Sequence, residues 1–126
     1  MTSRLFQILL ALVFLTLGGW CMIWPGMVEG LVLRAEFVTG GIVPRLLIGC
    51  FGAQAVLCGT VIAVSDFRPR SFLVFGVIGS LPFFAFNYYF YVEAQIFTRW
   101  MLLDFVGNLV ILGCCLCGYS LARRGL

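Results

Sequence analysis

Polar side chains that could do chemistry are few in this chain, and the most unusual ones lie inside a long apolar run. Trp100, Asp104 and Asn108 are spaced four residues apart in the stretch RWMLLDFVGN. Residues four apart share one face of a helix, so the spacing predicts a single polar face on an otherwise apolar helix. A carboxylate at membrane depth is costly and is tolerated where it faces the protein interior.

Other polar residues reach the same level of the predicted bundle. At a rise of about 1.5 Å per residue, Gln54 and Asn108 lie near the membrane midplane, whereas Asn87 and Asp104 lie closer to the outer surface. Arg45 directly precedes the second apolar run and is the nearest cationic candidate partner for Asp104. We therefore predict a candidate ligand-binding site made of Asp104, Asn108, Asn87, Gln54, Arg45 and Trp100.

This polar cluster has three interpretations. It could join helices by hydrogen bonds alone, or form the floor of an outward-facing pocket for a lipid headgroup, a quinone or a small polar ligand. A proton or ion path is the third, although the inner half of the bundle is almost purely apolar. The aromatic stretch LPFFAFNYYFYVEAQ, with Trp20 and Trp24, predicts an interfacial belt or walls for a flat-ring or isoprenoid ligand.

The six cysteines favour packing over chemistry. Cys114 and Cys117 form a C-x-x-C pair inside an apolar helix, but zinc usually takes four ligands and the chain has no histidine. Cysteine is a common small apolar residue in protein interiors, so we predict that these cysteines fill space in the helix packing. We predict no metal and no cofactor. A disulfide between Cys21 and Cys50 is an open alternative. The missing histidine also excludes a Ser-His-Asp triad on this chain, so we expect no enzyme, with quinone or lipid chemistry at Asp104 as the exception.

Composition identifies the elements that must position these residues. The chain has 126 residues, 63% hydrophobic and 10% charged, against about 45–50% and about 25% in soluble domains. Apolar runs at 5–24, 46–64, 72–91 and 100–119 each reach the roughly 20 residues that cross a bilayer. Because lipid offers no hydrogen bonds to the backbone, each run should be a helix. We predict an all-α, integral membrane four-helix bundle as a single transmembrane domain, 1–126.

The connections and the arginines predict the arrangement. Short links should make helices two and three, and three and four, antiparallel neighbours. The longer connection, 25–44, predicts a short interfacial segment, either a connector or a lid over a site. The end that carries both termini holds most of the arginines, which by the positive-inside rule makes both termini cytoplasmic: Arg4, Arg68, Arg70, Arg123 and Arg124. We expect a multi-pass protein of the bacterial inner (plasma) membrane, and no nucleic-acid binding.

Small residues recur at four-residue spacing and predict close helix packing: Ala55, Gly59 and Ala63; Gly76 and Ser80; Gly49 and Ala53. In the first two runs, LTLGGWCMIWPG and RLLIGCFGAQAVLCG resemble the DoxX-like family of small bacterial membrane proteins. The resemblance implies a four-helix membrane protein loosely tied to redox or sulfur metabolism, often beside partner proteins. No catalytic residue is carried over from it.

Together these features predict a non-enzymatic binding or accessory subunit whose outward-facing polar pocket takes a lipid-like ligand or a partner helix. A small transporter or channel, and a membrane redox enzyme subunit working with quinone, are the alternatives. The expected partners are membrane lipid, a hydrophobic ligand or quinone, and a membrane protein partner or a second copy in a homo-oligomer.

Overall fold

The computed structural model describes all 126 residues and is entirely helical, with 83% of the chain in helix and no strands. Its helices in chain order are α1 (Ser3–Ile23), α2 (Pro25–Val32), α3 (Ile42–Val64), α4 (Pro69–Tyr88) and α5 (Leu102–Arg123). A π-helical turn, Tyr89–Glu93, continues α4. A 3₁₀ turn, Arg99–Met101, leads into α5. The predicted all-α class is therefore confirmed.

Four helical segments are long and apolar enough to cross a membrane, as in a multi-pass integral membrane protein: Ser3–Ile23, Ile42–Val64, Pro69–Glu93 and Arg99–Arg123. Each begins before the apolar run that predicted it, by one to four residues. The reason is local. Pro69 lies in the first turn of α4, a position that tolerates proline. Backbone hydrogen bonding also extends the helices over polar residues, which a run defined by apolar side chains leaves out.

The helices pack in an open order. α1 packs against both α3 and α5, and α5 packs against α4, whereas α3 and α4 do not form a packed pair. The prediction that spanning helices two and three are packed neighbours is wrong, and the one for three and four is confirmed. A short link brings two helix ends together, but side chains decide whether the helices touch along their lengths. Here Phe67 of the link packs on Phe72 and Phe75 of α4, at centroid distances of 5.2 and 5.1 Å.

Close backbone contact explains the α1–α3 pair. A Cβ on Gly52 would clash with the Met22 backbone nitrogen, and one on Gly18 would lie 2.7 Å from the Ala55 Cβ. Of the predicted small-residue pairs, Gly59 faces α1 and Gly76 faces Cys115 of α5, whereas a Cβ on Gly49 would meet nothing within 4 Å. Close packing in lipid relies on such small side chains.

The end of the bundle that carries both chain termini, called the termini end here, is filled by side chains. Its core comprises Leu10, Ala11, Ile62, Ile111, Cys114 and Cys115. Gln7 is buried and its amide donates to the carbonyls of Ile62 (2.5 Å) and Ser65 (2.7 Å). The Arg4 guanidinium donates to the carbonyls of Ala63 (2.7 Å) and Ser65 (2.9 Å). These bonds satisfy carbonyls that the end of α3 leaves without helical partners.

The opposite end, called the α2 end, is covered by two connections that bond to each other. The Arg34 amide donates to the Ile96 carbonyl (2.9 Å) and the Thr98 amide donates to the Val32 carbonyl (2.7 Å). Leu33 and Phe97 form an isolated antiparallel bridge between these bonds. The connection after α1, which includes α2, is thus hydrogen-bonded to the connection before α5, and α2 packs against α1 and α3.

Candidate functional site

A cavity of about 580 Å³ lies under α2, in the half of the bundle where α3 and α4 are apart. α1 and α5 form its back, with Leu17 and Asn108 among the lining residues. Val28 and Val32 of α2, with Phe97, form its roof. The lining is mainly apolar, so the space suits a hydrophobic molecule. Residues of the 25–44 connector therefore contribute to the cavity lining.

The cavity is open between α3 and α4. Leu47 and Phe51 of α3 and Phe86 of α4 line it, yet they are 64%, 49% and 55% exposed. Residues that both line a cavity and lie at the surface border its mouth, and Trp100 just before α5 and Leu103 at its start do so too, at 56% and 51% exposure. The mouth is on the side of the bundle that faces the apolar surroundings of the spanning helices, which would allow a molecule to enter sideways.

Asp104 is at the centre of the polar part of the lining. Its Oδ2 accepts hydrogen bonds from the side-chain amides of Asn87 (2.8 Å) and Asn108 (3.2 Å). Asn87 and Asn108 are buried, at 6% and 4% exposure, and Asp104 is half-buried. Hydrogen bonds to a charged acceptor are the stronger kind. Asn87, Asp104 and Asn108 are called the carboxylate triad below.

Local sequence positions the triad. Asp104 and Asn108 are one helical turn apart on α5, so their side chains meet on one face. Asn87 comes from the end of α4, where its amide also donates to the Phe83 carbonyl (2.8 Å). Phe84 and Phe105 pack edge to face between the same two helices, with centroids 5.5 Å apart. The α4–α5 contact thus brings together residues 17 positions apart in sequence.

A second carboxylate, that of Glu29, lies in the roof. Glu29 is 1% exposed and lines the cavity. Its Oε1 accepts from the backbone amides of Thr39 (3.2 Å) and Gly40 (3.4 Å) and from the Thr39 hydroxyl (3.5 Å). These bonds fasten the connector before α3. We did not predict Glu29 as a site residue because it resembles a surface charge, and its only signal in the sequence is its position between apolar residues.

Aromatic rings surround much of the remaining space. They come from α1, α3 and α4, from the π-helical turn and from the connection before α5: Phe14, Trp20, Phe51, Phe83, Phe86, Phe90, Phe97 and Trp100. Tyr88 and Tyr89 of the same aromatic stretch are exposed and do not line it. The stretch therefore divides. Phe83, Phe86 and Phe90 line the cavity, Phe84 packs on Phe105 instead, and Tyr88 and Tyr89 are exposed.

The structure brings together half of the six predicted site residues by hydrogen bonding: Asp104, Asn87 and Asn108. Trp100 lines the cavity but is 56% exposed. Gln54 is exposed on α3 and outside the lining. Arg45 is exposed too, with its Nε 3.3 Å from the Cβ position of Gly26. Both bonds to Asp104 come from amides, so the expected Arg45 partner is replaced by Asn87, which can approach because α4 rather than α3 packs on α5.

The cysteines are distributed as packing residues. Cys114 and Cys115 are buried in the core of the termini end, Cys21 lines the cavity, and Cys50 and Cys117 are exposed. All six thiols are free. No group of three histidine, cysteine, aspartate or glutamate side chains is close enough to hold a metal ion. Cys114 and Cys115 thus pack in the core, whereas Cys117 of the same C-x-x-C pair does not.

The site is therefore a laterally open, aromatic cavity with a hydrogen-bonded carboxylate in its wall and a second carboxylate in its roof. Such a site can hold an amphiphile by its polar end and enclose its apolar part. The chain matches no known protein family, no curated protein and no solved structure.

Proposed function

We propose that this chain is a small integral membrane protein that binds one lipid-like amphiphile, without transforming it, in the cavity under α2. The carboxylate triad would hold the polar end and the aromatic walls the apolar part. The observation that carries the proposal is the position of Asp104, the central carboxylate of the triad, in the wall of an otherwise apolar cavity. An ionisable side chain inside a spanning bundle is a functional hypothesis by default.

The hydrogen bonds of the triad favour binding over a purely structural role. Helix-joining amides could bond to each other, and two aliphatic residues would fill the same space at lower cost. Instead both amides donate to one carboxylate oxygen, Asp104 Oδ2, so that the other oxygen of Asp104 is available to a ligand in the cavity. Such preorganised polar groups in an apolar pocket fix the orientation of a ligand.

Packing at the termini end bears on the alternative of a transporter or channel. At the termini end, Ile62 and Leu10 are fully buried, and Phe72 is also at 0% exposure. A continuous water-filled path would need that packing to part. The arrangement favours a binding protein, and a partner helix or a second copy seated on the α3–α4 side is a further way to fill the mouth. A quinone subunit would use the same cavity for a redox ligand.

We further propose a bacterial inner-membrane location with both termini cytoplasmic, from the five arginines at the termini end. α2 would then lie at the outer interface and the cavity in the outer half of the bilayer. Reporter domains fused to the carboxyl terminus test this orientation, and a periplasmic signal would contradict it. The DoxX-like resemblance stays a prediction, and the proposal does not depend on it.

The proposal is tested by native mass spectrometry of protein extracted in mild non-ionic detergent. We expect one retained amphiphile per chain, and its loss in Asp104→Asn, which keeps the shape and removes the charge. Asp66→Asn is the matched control, because Asp66 is an exposed carboxylate at the termini end. Equal retention in Asp104→Asn and Asp66→Asn, with both folded, would contradict the proposed site. A retained quinone or protein subunit would instead identify one of the alternatives.

A further inference from the structure

The charged residues of the cavity lining are all of one sign. Asp104 and Glu29 are its carboxylates, and no arginine is among the lining residues. The chain has no lysine, and its arginines lie at the helix ends and connections. The nearest of them by sequence, Arg99 to Asp104 and Arg34 to Glu29, are exposed, and the Arg34 Nε donates to the Phe97 carbonyl (3.4 Å). Arg45 is exposed too and lies beside Gly26. The protein therefore supplies these carboxylates with hydrogen-bond donors and with no counter-charge.

The remaining hydrogen-bonding capacity of the triad is mostly for accepting. Asn87 uses both of its amide hydrogens, one on Asp104 and one on the Phe83 carbonyl. Asn108 uses one on Asp104. What is left is the second carboxylate oxygen, the two amide oxygens and a single N–H. A polar end that donates hydrogen bonds or carries positive charge complements this set, whereas a phosphate or carboxylate does not.

The aromatic residues of the cavity lining also favour a positively charged ligand. A cation over the face of tryptophan, tyrosine or phenylalanine is attracted by the ring quadrupole, more strongly where water is excluded. Trp20 and Trp100 line the cavity, together with phenylalanines of α1, α3 and α4 and of the segment between α4 and α5. The cavity lining therefore combines two kinds of side chain that attract cations, carboxylates and aromatic rings.

We propose that the ligand of this cavity is a lipophilic organic cation, an amine or a quaternary onium group with apolar substituents. This inference rests on the proposed binding function and names the class of ligand. The chain as a whole carries a net charge of +3, which on its own would favour an anion. A preference for cations would thus have to arise at the cavity, from Asp104 and Glu29.

Two probes of the same shape and opposite charge test the inference. Tetraphenylphosphonium and tetraphenylborate are titrated calorimetrically into the full chain in non-ionic detergent, with protein-free micelles subtracted. We expect the cation to bind at least about tenfold more tightly than the anion. Asp104→Asn should lose most of that difference, and Asp66→Asn should keep it.

A second variant guards against misfolding of Asp104→Asn. Phe86 is 55% exposed at the mouth, so Phe86→Leu should fold and bind the cation several-fold more weakly. Equal or tighter binding of tetraphenylborate by the wild type, or no phosphonium binding by protein that retains an amphiphile, would overturn the cation inference and leave the binding function standing. No binding of either probe, with no retained amphiphile, would overturn both.

Discussion

The two ends of this bundle use the same helices in opposite ways. At the termini end the spanning helices close around buried side chains, and the polar residues Arg4 and Gln7 bond to carbonyls at the end of α3. At the α2 end the helices enclose a cavity, and the carboxylates of Asp104 and Glu29 are held by donors in its wall and roof. At the termini end, hydrogen bonds to polar side chains complete the fold. At the α2 end, hydrogen-bond acceptors remain available to a ligand.

Helix α4 shows the difference within one element. Phe72 near its start is at 0% exposure, whereas Phe86 near its end is at 55%. Both residues are phenylalanine, so the difference in their exposure comes from their neighbours. Phe72 packs against the small residue Gly118 of α5 and against Phe67 of the link. Phe86 has no equivalent partner on α3, because the close contacts in this bundle join α1 to α3 and α4 to α5. The cavity is the space that this pairing leaves.

The largest expected effect compares these two phenylalanines. Phe72→Ala should lower the free energy of unfolding by about 3–5 kcal/mol, because it empties a fully buried site. Phe86→Ala should cost less than about 1 kcal/mol. Unfolding in mixed micelles, followed by circular dichroism, measures both. Equal losses would mean that the two ends are packed alike and that the cavity closes in solution.

The second-largest expected effect concerns the contact between α1 and α3, which border the cavity. Gly52→Ala should destabilise the protein by about 1–3 kcal/mol, since the new Cβ meets the α1 backbone and the helices must move apart. Gly49→Ala on the same helix has open space and should be neutral or stabilising by up to about 1 kcal/mol. The same unfolding assay applies. A Gly52→Ala protein as stable as Gly49→Ala would contradict the close α1–α3 contact.

Asn87→Leu sharpens the comparison at the carboxylate. It keeps the side-chain size and removes the 2.8 Å hydrogen bond to Asp104, so we expect a stability loss of about 1 kcal/mol. Amphiphile retention in native mass spectra should fall about tenfold, because Asp104 is no longer oriented. Thr60→Val, at an exposed threonine of α3 outside the cavity, is the control. Unchanged retention would make Asn87 a helix-joining residue only.

The smallest effect concerns the roof. The Thr98 hydroxyl donates to the Leu31 carbonyl and so ties the two connections together. Thr98→Val should change stability by less than about 1 kcal/mol but speed the exchange of a bound probe several-fold, because the roof loses a fastening bond. Stopped-flow displacement of tetraphenylphosphonium gives the rate. Thr16→Val, at an exposed position of α1, should leave it unchanged, and an equal rate in both variants would show that ligand exchanges only through the mouth.

Much of the site was predictable from depth and spacing along the chain. The i, i+4 pair of Asp104 and Asn108 needs only helical periodicity. The equal depth of Asn87 and Asp104 needs only helix direction and rise, and their hydrogen bond confirms it. Gln54 shows where such reasoning fails. Its depth suited the site, but its direction around α3 depends on which helices α3 contacts, and the structure leaves it exposed.

The sequence by itself determined that this chain is helical and suited to a membrane, because each apolar run must satisfy its own backbone in lipid. It also determined that Asn87 and Asp104 lie at one level of the bundle, since the rise per residue is fixed. Only the tertiary structure decided that α3 stands apart from α4, that a cavity fills the gap, and that Asn87 rather than Arg45 meets Asp104. Those outcomes depend on how small and large side chains fit across helices, a sum of many weak contacts that no single segment contains.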